Sequence, residues 1–422
     1  MPVWIVHGGR ELHGSIPVQG SKNAVLPILA ASLVGGGVTR LKNCPDLLDV
    51  SASAEILRFL GCDVMQLGGE ILVNSDGMCR THIPHALMLK MRSSVMFLGA
   101  ILARCGEVRL SAPGGCELGS RPIDLHLKAL RELGAEVTES GGEVYCRAAH
   151  LIGTHINLDF PSVGATENVM LAACAAEGTT VITNAAREPE IVDLQNFLNA
   201  KGAEISGAGS PEIRIEGFRA KPVTEYAVLP DRIAAATYLC AAAAAGGEVR
   251  ITEVIPAHLE TVTDALRSMG CVVTAEQSSI CLRRCCPMRA CRPIITKPYP
   301  GFPTDAQALL MAASLRAEGT SVFVENIFDN RFRHADELRR MGAEIRIEGR
   351  VAMVTGVGRL SGAVLTACDL RGAAAMVLAG LAAEGETRVL DSGHLERGYE
   401  RFAENLSAMG ACAERCPELI GA

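Results

Sequence analysis

A short motif recurs six times along the chain and constrains its fold more than any other feature of the sequence. In each copy a segment rich in Leu and similar residues ends in Gly and usually leads into β-prone residues, as in LRELGAEV and LRRMGAEI. Glycine commonly follows the end of a helix, because it adopts left-handed backbone angles without steric cost. The motif glycines lie 68 to 73 residues apart, at Gly61, Gly134, Gly202, Gly270, Gly342 and Gly410. This spacing predicts six similar units of helix and strand.

A second signal runs in phase with the first. Six Gly-containing turns such as AGGEVRIT and AEGTSVFV lead into strands, and each follows an apolar segment such as DRIAAATYLCAAAAA. A helix that is apolar on nearly all sides is expected to be buried. Each unit therefore reads as strand, buried helix, strand, amphipathic helix and strands, with three units in each of two domains. A solenoid is the alternative, but terminal repeats with polar outer faces are not evident.

The composition is that of a soluble globular protein. Of the 422 residues 49% are hydrophobic and 21% charged, and the net charge is −7. This net negative charge argues against a nucleic-acid-binding protein. Any anion-binding site must therefore be local, formed by a few basic side chains that the fold brings together. We find no signal peptide and no apolar run of membrane-spanning length, and we expect a cytoplasmic protein that does not bind membranes.

Sixteen cysteines are many for such a chain. Most occur singly in apolar segments, where cysteine packs as a small hydrophobic residue, and in a reducing compartment we expect free thiols. The stretch CLRRCCPMRACRP holds four of them: Cys281, Cys285, Cys286 and Cys291. It lacks the CxxC spacing and the nearby histidine of a zinc site. A thiol-rich surface strand and loop is therefore the favoured interpretation, and a metal site is the alternative.

Charged residues occur at the start of the predicted buried helices. Lys22, Arg92 and Arg371 stand where the helix dipole disfavours cations, and they have no acceptor with which to cap a helix. A bound, multiply charged anion would explain them, because helix N-termini also offer unpaired N–H groups. Acidic residues occupy the corresponding places in the second half of the chain: Asp231, Asp305 and Asp369. Aspartate is also a good N-cap, and for Asp231 capping is the favoured interpretation.

The loops that connect strands to amphipathic helices carry further candidates. The Gly-rich segment LSAPGGCELGSRPIDLH places Cys116 shortly before Arg121, and later loops carry Arg331 and Arg397. A single surface arginine is usually a solvated side chain, but here equivalent ends of repeated units carry the cations. If both domains present that end to one cleft, a phosphate and a carboxylate would meet six cations: Lys22, Arg92, Arg121, Arg331, Arg371 and Arg397.

Several of these segments, taken together, resemble the enolpyruvyl transferases, and among them the members that act on UDP-N-acetylglucosamine. The resemblance covers nearly the whole chain and includes GSKNAVLPILAA, PGGCELGSRPIDLH, FPSVGATEN, GFPTDAQALLMA, NRFRHADELRRMGA and ERGYERFAENLSAMGA. It implies a two-domain inside-out α/β barrel of six βαβαββ-type units. The implied domains are residues 22–229, and residues 1–21 together with 230–422, with the active site in the cleft between them.

The resemblance also implies a reaction. The enolpyruvyl group of phosphoenolpyruvate would move to the 3-hydroxyl of UDP-N-acetylglucosamine through a tetrahedral ketal, with release of phosphate, as the first committed step of peptidoglycan synthesis. Cys116 matches the acid that protonates the vinyl carbon and the target of fosfomycin, and Asp305 matches the group that acts as base on the sugar hydroxyl or positions it. No metal or organic cofactor is implied, and we expect a monomer.

Other family positions map onto substrate contacts. Lys22, Arg121 and Arg397 match ligands of the phosphoenolpyruvate phosphate, and Asn23 matches a contact to both substrates. Further charge contacts or domain closure are implied for Arg92, Arg331 and Arg371, with Asp369 in the same binding set. Contacts to the nucleotide sugar are implied for Arg121, Pro122, Ile123, Asp124, Leu125, Ser162, Val163, Gly164 and Ile327.

Three other hypotheses remain at the level of sequence. The sibling enzyme that uses shikimate 3-phosphate has similar units, but PGGCELGSRPIDLH argues against it. A non-catalytic, nucleotide-sugar-binding regulatory paralogue would be favoured by changes at Cys116, Asp305 or Arg397, and all three are intact. A redox- or metal-responsive protein would use the cysteine-rich stretch that begins at Cys281.

Overall fold

The computed structural model describes residues 2–111 and 123–416 of the chain. These residues divide into two compact units, each with its own hydrophobic core. The first unit contains residues 20–111 and 123–229, and the second unit combines residues 2–19 with 230–416. The chain therefore begins in the second unit, builds the first, and returns.

The described residues contain 26 β-strands, most of them of four to six residues. In chain order they are β1 (Val3–His7), β2 (Leu12–Pro17), β3 (Val38–Lys42), β4 (Asp63–Leu67), β5 (Glu70–Asn74), β6 (His82–Ile83), β7 (Glu107–Ser111), β8 (Glu136–Ser140), β9 (Glu143–Arg147), β10 (Leu151–Ile152), β11 (His155–Asn157), β12 (Ala176–Glu177), β13 (Thr180–Thr183), β14 (Ala203–Ser206), β15 (Glu212–Phe218), β16 (Val223–Ala227), β17 (Gly247–Thr252), β18 (Val272–Ala275), β19 (Ser279–Arg284), β20 (Ile294–Ile295), β21 (Thr320–Val324), β22 (Glu344–Glu348), β23 (Val351–Thr355), β24 (Val364–Thr366), β25 (Glu386–Leu390) and β26 (Cys412–Cys416).

Six four-stranded sheets and one short two-stranded pair contain these described strands. The first unit has the orders β16-β3-β5-β4, β6-β7-β9-β8 and β11-β13-β15-β14, with the pair β10-β12, and the second unit has β24-β25-β1-β26, β18-β19-β17-β2 and β20-β21-β23-β22. In every four-stranded sheet one edge strand is parallel to its neighbour and the other two pairings are antiparallel. A parallel pair needs a long crossover between its strands, which helices supply here.

Thirteen α-helices lie within the described ranges. They are α1 (Lys22–Ala31), α2 (Leu48–Leu60), α3 (His85–Lys90), α4 (Phe97–Cys105), α5 (Asp124–Glu132), α6 (Val163–Ala173), α7 (Pro189–Lys201), α8 (Arg232–Ala245), α9 (Glu260–Ser268), α10 (Thr304–Ser314), α11 (His334–Arg340), α12 (Leu370–Ala382) and α13 (Phe402–Ala408). Short 3-10 turns occur at Arg92–Met96, Pro256–Leu259 and Leu395–Arg397.

The apolar helices are buried, as their composition predicts. In the second unit α8, α10 and α12 pack against one another, and every residue of α12 from Arg371 to Ala382 is buried. By contrast, α9 buries Val262, Ala265 and Leu266 at helical spacing and exposes the opposite side. The difference follows from the pattern of apolar residues: a stripe leaves one face in solvent, and an apolar cylinder does not.

The six motif glycines all have left-handed backbone angles, with φ between 88° and 117°. Each follows or caps the end of an α-helix, where an L side chain would be strained.

The sequence also predicts one continuous helix over MRSSVMFLGAILA, and this is wrong. Residues 92–96 form a 3-10 turn and α4 begins at Phe97, because the side-chain oxygen of Asn168 accepts the Gly99 N–H at 2.7 Å and satisfies a first-turn donor.

The structure is a mixed α/β fold throughout. None of its described helices is both long enough and apolar enough to cross a membrane.

Candidate functional site

In the first unit, Lys22 is the first residue of α1, and its ammonium group contacts a buried carboxylate. Its Nζ lies 2.8 Å from Oδ2 of Asp49, and the Asp49 side chain is 2% exposed whereas that of Lys22 is 13% exposed. Asp49 stands in the first turn of α2, where the helix dipole favours an anion. The pair fixes the position of a cation at the start of α1, with Asn23 half-buried beside it.

Two segments predicted to bind the nucleotide lie side by side in this unit. Ser162 caps α6 by accepting the Ala165 N–H at 3.4 Å, so Val163 and Gly164 form the first turn of that helix. Gly164 packs against the ring of His126 in α5, and a methyl group added at Gly164 would lie 3.1 Å from His126 Cε1. The α5 residues that follow Ile123 are thereby held against the start of α6.

Asn168 connects these helices to α4. Its amide nitrogen lies 2.7 Å from His126 Nδ1 and donates to the carbonyl of Val95 at 3.1 Å, while its oxygen accepts from Gly99. Since this amide donates to Nδ1, the ring nitrogen is the acceptor and the proton of neutral His126 lies on Nε2. Burial lowers the pKa of His126 to about 4, so the ring is neutral at physiological pH.

In the second unit, Asp305 lies between two buried arginines. Its Oδ1 accepts from Arg331 Nη2 at 2.9 Å, and its Oδ2 accepts from Arg371 Nη2 at 3.1 Å. The arginine side chains are 3% and 4% exposed, whereas that of Asp305 is 28% exposed. The carboxylate is therefore presented to the outside by two guanidinium groups that are fixed behind it.

Asp369 anchors the same cluster at the start of α12. It caps the helix by accepting the N–H groups of Arg371 and Gly372 at 2.9 and 3.1 Å, and its Oδ1 lies 3.7 Å from Arg331 Nη1. Burial alone would raise the pKa of Asp369, but Arg331, His334 and the capped N–H groups hold it below its ordinary value. The N-cap interpretation of Asp369 is thus correct, and the residue pairs with an arginine as well.

Tyr399 holds Arg371 from the opposite side. The tyrosine hydroxyl accepts from Arg371 Nη1 at 3.0 Å and shares a hydrogen bond of 2.9 Å with Thr237. Burial alone would lower the pKa of Arg371, but Tyr399 and Asp305 are among the groups that raise it above its ordinary value. Arg371 Nε is buried without a partner among the described atoms, so the guanidinium retains an unused donor.

Glu325 organises the turn that contains Ile327. Its Oε1 accepts from the backbone N–H of Ile327 and Phe328 at 2.8 and 3.1 Å, and its Oε2 accepts from the Thr304 hydroxyl at 2.9 Å. Thr304 precedes Asp305, and its carbonyl oxygen accepts a hydrogen bond from Arg331 Nη2 at 3.2 Å. The buried Glu325 carboxylate therefore connects Ile327 to the first turn of α10, which contains Asp305.

Asp391 shapes the turn that carries Arg397. Its carboxylate accepts from the N–H groups of His394 and Leu395 at 2.8 and 3.0 Å, and it is completely buried. Arg397 is the last residue of that 3-10 turn and is half-buried.

Some of the sequence-predicted residues lie outside the described part of the chain. These are Cys116, Arg121 and Pro122, and for Arg92 the structure describes the backbone turn but not the side chain. Within the described residues, no group of three or more His, Cys, Asp and Glu side chains could hold a metal ion.

Comparison with known proteins gives this geometry its context. Residues 6–406 match the family model described as EPSP synthase (3-phosphoshikimate 1-carboxyvinyltransferase). The chain is 49% identical to "UDP-N-acetylglucosamine 1-carboxyvinyltransferase 2" of Caldanaerobacter subterraneus subsp. tengcongensis, over 96% of this chain and 97% of that protein. It is 48% identical to "UDP-N-acetylglucosamine 1-carboxyvinyltransferase 1" of Symbiobacterium thermophilum, over 98% and 95%. The chain belongs to the enolpyruvyl transferase family. It is thus an enzyme.

Solved structures of this enolpyruvyl transferase family agree with the fold. The enolpyruvyl transferase NikO from Streptomyces tendae superposes with a TM-score of 0.88 at 26% identity, covering 98% of both chains. An EPSP synthase from Acinetobacter baumannii superposes with a TM-score of 0.75 at 20% identity, covering 99% of this chain and 100% of that one. The second likeness is evidence for the fold alone.

Sequence reasoning missed several polar residues that shape the site of this enolpyruvyl transferase. They are Asp49, His126, Asn168, Glu325 and Tyr399. Each is buried in the structure, and each contacts a predicted site residue or its backbone turn. The one available signal was a polar residue within an otherwise apolar segment, as at Asn168 in GATENVMLAA, because buried polar groups are usually hydrogen-bonded.

Proposed function

We propose that the protein transfers the enolpyruvyl group of phosphoenolpyruvate to the 3-hydroxyl of UDP-N-acetylglucosamine and releases phosphate. The sugar hydroxyl oxygen bonds to carbon-2 while carbon-3 takes up a proton, which gives a tetrahedral ketal. The bond from carbon-2 to the phosphate oxygen then breaks and carbon-3 loses a proton, so an enolpyruvyl ether and phosphate are formed. Through this reaction the enzyme serves the first committed step of peptidoglycan synthesis.

One observation carries the choice of acceptor: near-full-length identity of 47% to 49% with relatives named for UDP-N-acetylglucosamine. The description of the matching family model names the shikimate enzyme. The family match by itself therefore does not favour UDP-N-acetylglucosamine as the acceptor. The sibling reaction on shikimate 3-phosphate is therefore the alternative that an experiment has to separate.

The geometry of the second unit supports the role of Asp305. A carboxylate held by Arg331 and Arg371 is fixed in direction, and such a fixed acceptor suits the hydrogen bond from a sugar hydroxyl. Because two guanidinium groups hold the two carboxylate oxygens, we assign Asp305 chiefly to positioning the sugar hydroxyl. Ile327, whose backbone is set by Glu325, is proposed to contact the same sugar.

The remaining roles are carried from the family positions. Lys22, Arg121 and Arg397 bind the phosphate of phosphoenolpyruvate, which suits ammonium and guanidinium groups. Arg92, Arg331 and Arg371 supply charge to the carboxylate or phosphate, with Asp369 holding Arg331. Asn23 contacts both substrates, and the nucleotide is held by Arg121, Pro122, Ile123, Asp124, Leu125, Ser162, Val163 and Gly164.

Cys116 is proposed as the acid that protonates carbon-3 and as the residue that fosfomycin alkylates. A thiol is a competent general acid when it is placed against the reacting carbon. We further propose that the protein is a cytoplasmic monomer, and that its six four-stranded sheets belong to the six units of an inside-out α/β barrel. The shared pairing pattern of the sheets supports that arrangement.

The deciding experiment measures phosphate release from phosphoenolpyruvate with UDP-N-acetylglucosamine, and separately with shikimate 3-phosphate. We expect phosphate release that requires the nucleotide sugar. Preincubation with fosfomycin should abolish this release and should add one covalent adduct in intact-protein mass spectra. Cys116→Ser should lose the adduct, whereas Cys79→Ser, which removes an exposed thiol elsewhere, should keep both adduct and activity.

Two other outcomes would redirect the assignment. Release with shikimate 3-phosphate alone would place the protein with the sibling enzyme. Binding of UDP-N-acetylglucosamine without release from either acceptor would identify a regulatory paralogue.

A further inference from the structure

The cysteine-rich stretch places two thiols in contact on the protein surface. Cys285 and Cys286 follow directly after β19, both are exposed, and their sulfur atoms are 3.9 Å apart. The Cys286 thiol is oriented to donate to the Cys285 sulfur, and this contact is the first cause of a raised pKa at Cys286. The stretch therefore presents two adjacent sulfur atoms at the protein surface.

The other described cysteines in this region are differently placed. Cys281 directs its thiol to Glu248 at 3.7 Å, and Cys271 is buried against the sulfur of Met288 at 3.8 Å. Cys291 is buried as well. Elsewhere burial raises the pKa of several described thiols to about 12, which suppresses the reactive thiolate form: Cys44, Cys62, Cys146, Cys174 and Cys368.

The backbone on both sides of the pair is held in place. Before it, Arg284 at the end of β19 pairs with Gly247 of β17. After it, Met288 accepts a hydrogen bond from Glu318 N–H at 2.7 Å, and Arg289 N–H donates to Met269 at 3.0 Å. A short turn between two anchored points loses little freedom when it binds a ligand, so the thiol pair is preorganised.

The separation of the sulfurs indicates what they can bind. At 3.9 Å they are well beyond the S–S bond of about 2.0 Å, but they suit a single bridging atom that bonds to both. Thiolates select soft, thiophilic centres over the hard cations that prefer oxygen. The described residues supply no third metal ligand here, which disfavours tetrahedral zinc and favours a centre that is satisfied by two sulfurs.

We propose that Cys285 and Cys286 form a dithiol site for trivalent arsenic compounds. With an organic arsenic(III) oxide, two As–S bonds form and the As–O bond is lost. The two thiol protons leave with the oxide oxygen as one molecule of water. Arsenic stays in its trivalent state and no electrons are transferred, so the step needs no oxidant or reductant. The product is a small ring that contains both adjacent cysteines.

The test uses the full-length protein and phenylarsine oxide. After incubation, the excess reagent is removed and an excess of the monothiol 2-mercaptoethanol is added. A second sample, treated in the same way, then also receives a small dithiol. We expect one arsenical per chain to survive the monothiol and to be released by the dithiol. Single-thiol adducts, including any at Cys116, are stripped by the monothiol. Trypsin cleaves after Arg284 and Arg289, so the surviving adduct should lie on the peptide 285–289.

Variants make the assignment specific. Cys285→Ser and Cys286→Ser should each lose the monothiol-resistant adduct, because one sulfur cannot bridge. Cys281→Ser is the matched control from the same stretch, and it should keep the adduct. Cys285 and Cys286 are both exposed, so we expect the phosphate-release activity of their variants to be unchanged. That activity also shows that the variants are folded. An adduct that survives in either single variant, that maps outside 285–289, or that the monothiol removes would overturn the proposal.

Discussion

The side-chain amide of Asn168 lies 2.7 Å from Nδ1 of His126, and this hydrogen bond joins the helices α6 and α5. The same amide reaches the carbonyl of Val95, and its oxygen accepts from Gly99 at the start of α4. One fully buried side chain thus fixes three helix starts, two of which carry predicted nucleotide contacts.

Replacement of Asn168 by Ala should destabilise the protein substantially. The Gly99 N–H and the Val95 carbonyl would lose buried partners, and leaving such groups unsatisfied costs about 1–3 kcal/mol each. We expect the free energy of unfolding, measured by urea denaturation, to fall by about 2–4 kcal/mol. Asn157→Ala is the control, because Asn157 is exposed and accepts one hydrogen bond from Thr183. Equal losses in the two variants would contradict the role of Asn168.

The contribution of two buried histidines to stability should fall as the pH is lowered from about 6.5 towards 4. Burial lowers the pKa of both His126 and His334 to about 4, whereas an unfolded histidine titrates near 6.5. At these two positions the unfolded chain binds more protons than the folded chain in that window, so protonation of each histidine favours unfolding, by on the order of 3 kcal/mol once the pH is below 4.

The measurement is urea unfolding of the wild type and of His126→Gln between pH 7 and pH 5, above the range in which ordinary carboxylates titrate. As the pH falls across this window, the unfolding free energy of the variant should fall less, or rise more, than that of the wild type, whatever its stability at pH 7. An identical pH slope in both proteins would show that His126 does not remain neutral in the folded state.

Tyr399→Phe tests whether the buried hydroxyl positions Arg371. The change removes the acceptor of Arg371 Nη1 and the partner of Thr237. We expect a loss of about 1–2 kcal/mol in unfolding free energy. Since Arg371 also holds Asp305, we expect kcat for phosphate release to fall about tenfold, which corresponds to about 1.4 kcal/mol.

The matched control for that change is Tyr145→Phe. Tyr145 lies in an exposed position of β9 and its hydroxyl contacts Glu107 at 3.3 Å on the surface. The Tyr145→Phe substitution should leave both the unfolding free energy and kcat within error of the wild-type values. If Tyr399→Phe lowered stability while kcat stayed the same, the hydroxyl would be structural and would not position Arg371.

Glu325→Gln tests the turn that presents Ile327. Glutamine keeps the size but has one acceptor oxygen, so either the backbone N–H groups or the Thr304 hydroxyl loses its partner. We expect KM for UDP-N-acetylglucosamine to rise about tenfold, with a smaller change in kcat, since a charge-assisted contact of about 1.5 kcal/mol is removed. Glu344→Gln, on an exposed position of β22, is the control. An unchanged KM in Glu325→Gln would separate this turn from sugar binding.

The sequence by itself determined the α/β class, the burial of the apolar helices and the helix ends at the motif glycines. Each depends on local information: the period of apolar residues, and the ability of glycine to adopt positive φ. The N-cap at Asp231 is equally local, since its carboxylate accepts from Ile233 and Ala234 within the same turn, as predicted. The sequence also predicts Lys22, Asp305 and Arg371 as site residues, through their place at helix starts and their match to a known family.

Only the tertiary structure decided how those residues are paired. Asp305 meets Arg331 and Arg371, which are 26 and 66 residues away along the chain, and Asn168 meets His126 across 42 residues. No periodicity encodes such pairs, because they depend on which faces of which helices pack together. The same packing excludes water, and exclusion of water makes each buried charge and hydrogen bond strong enough to fix its neighbour.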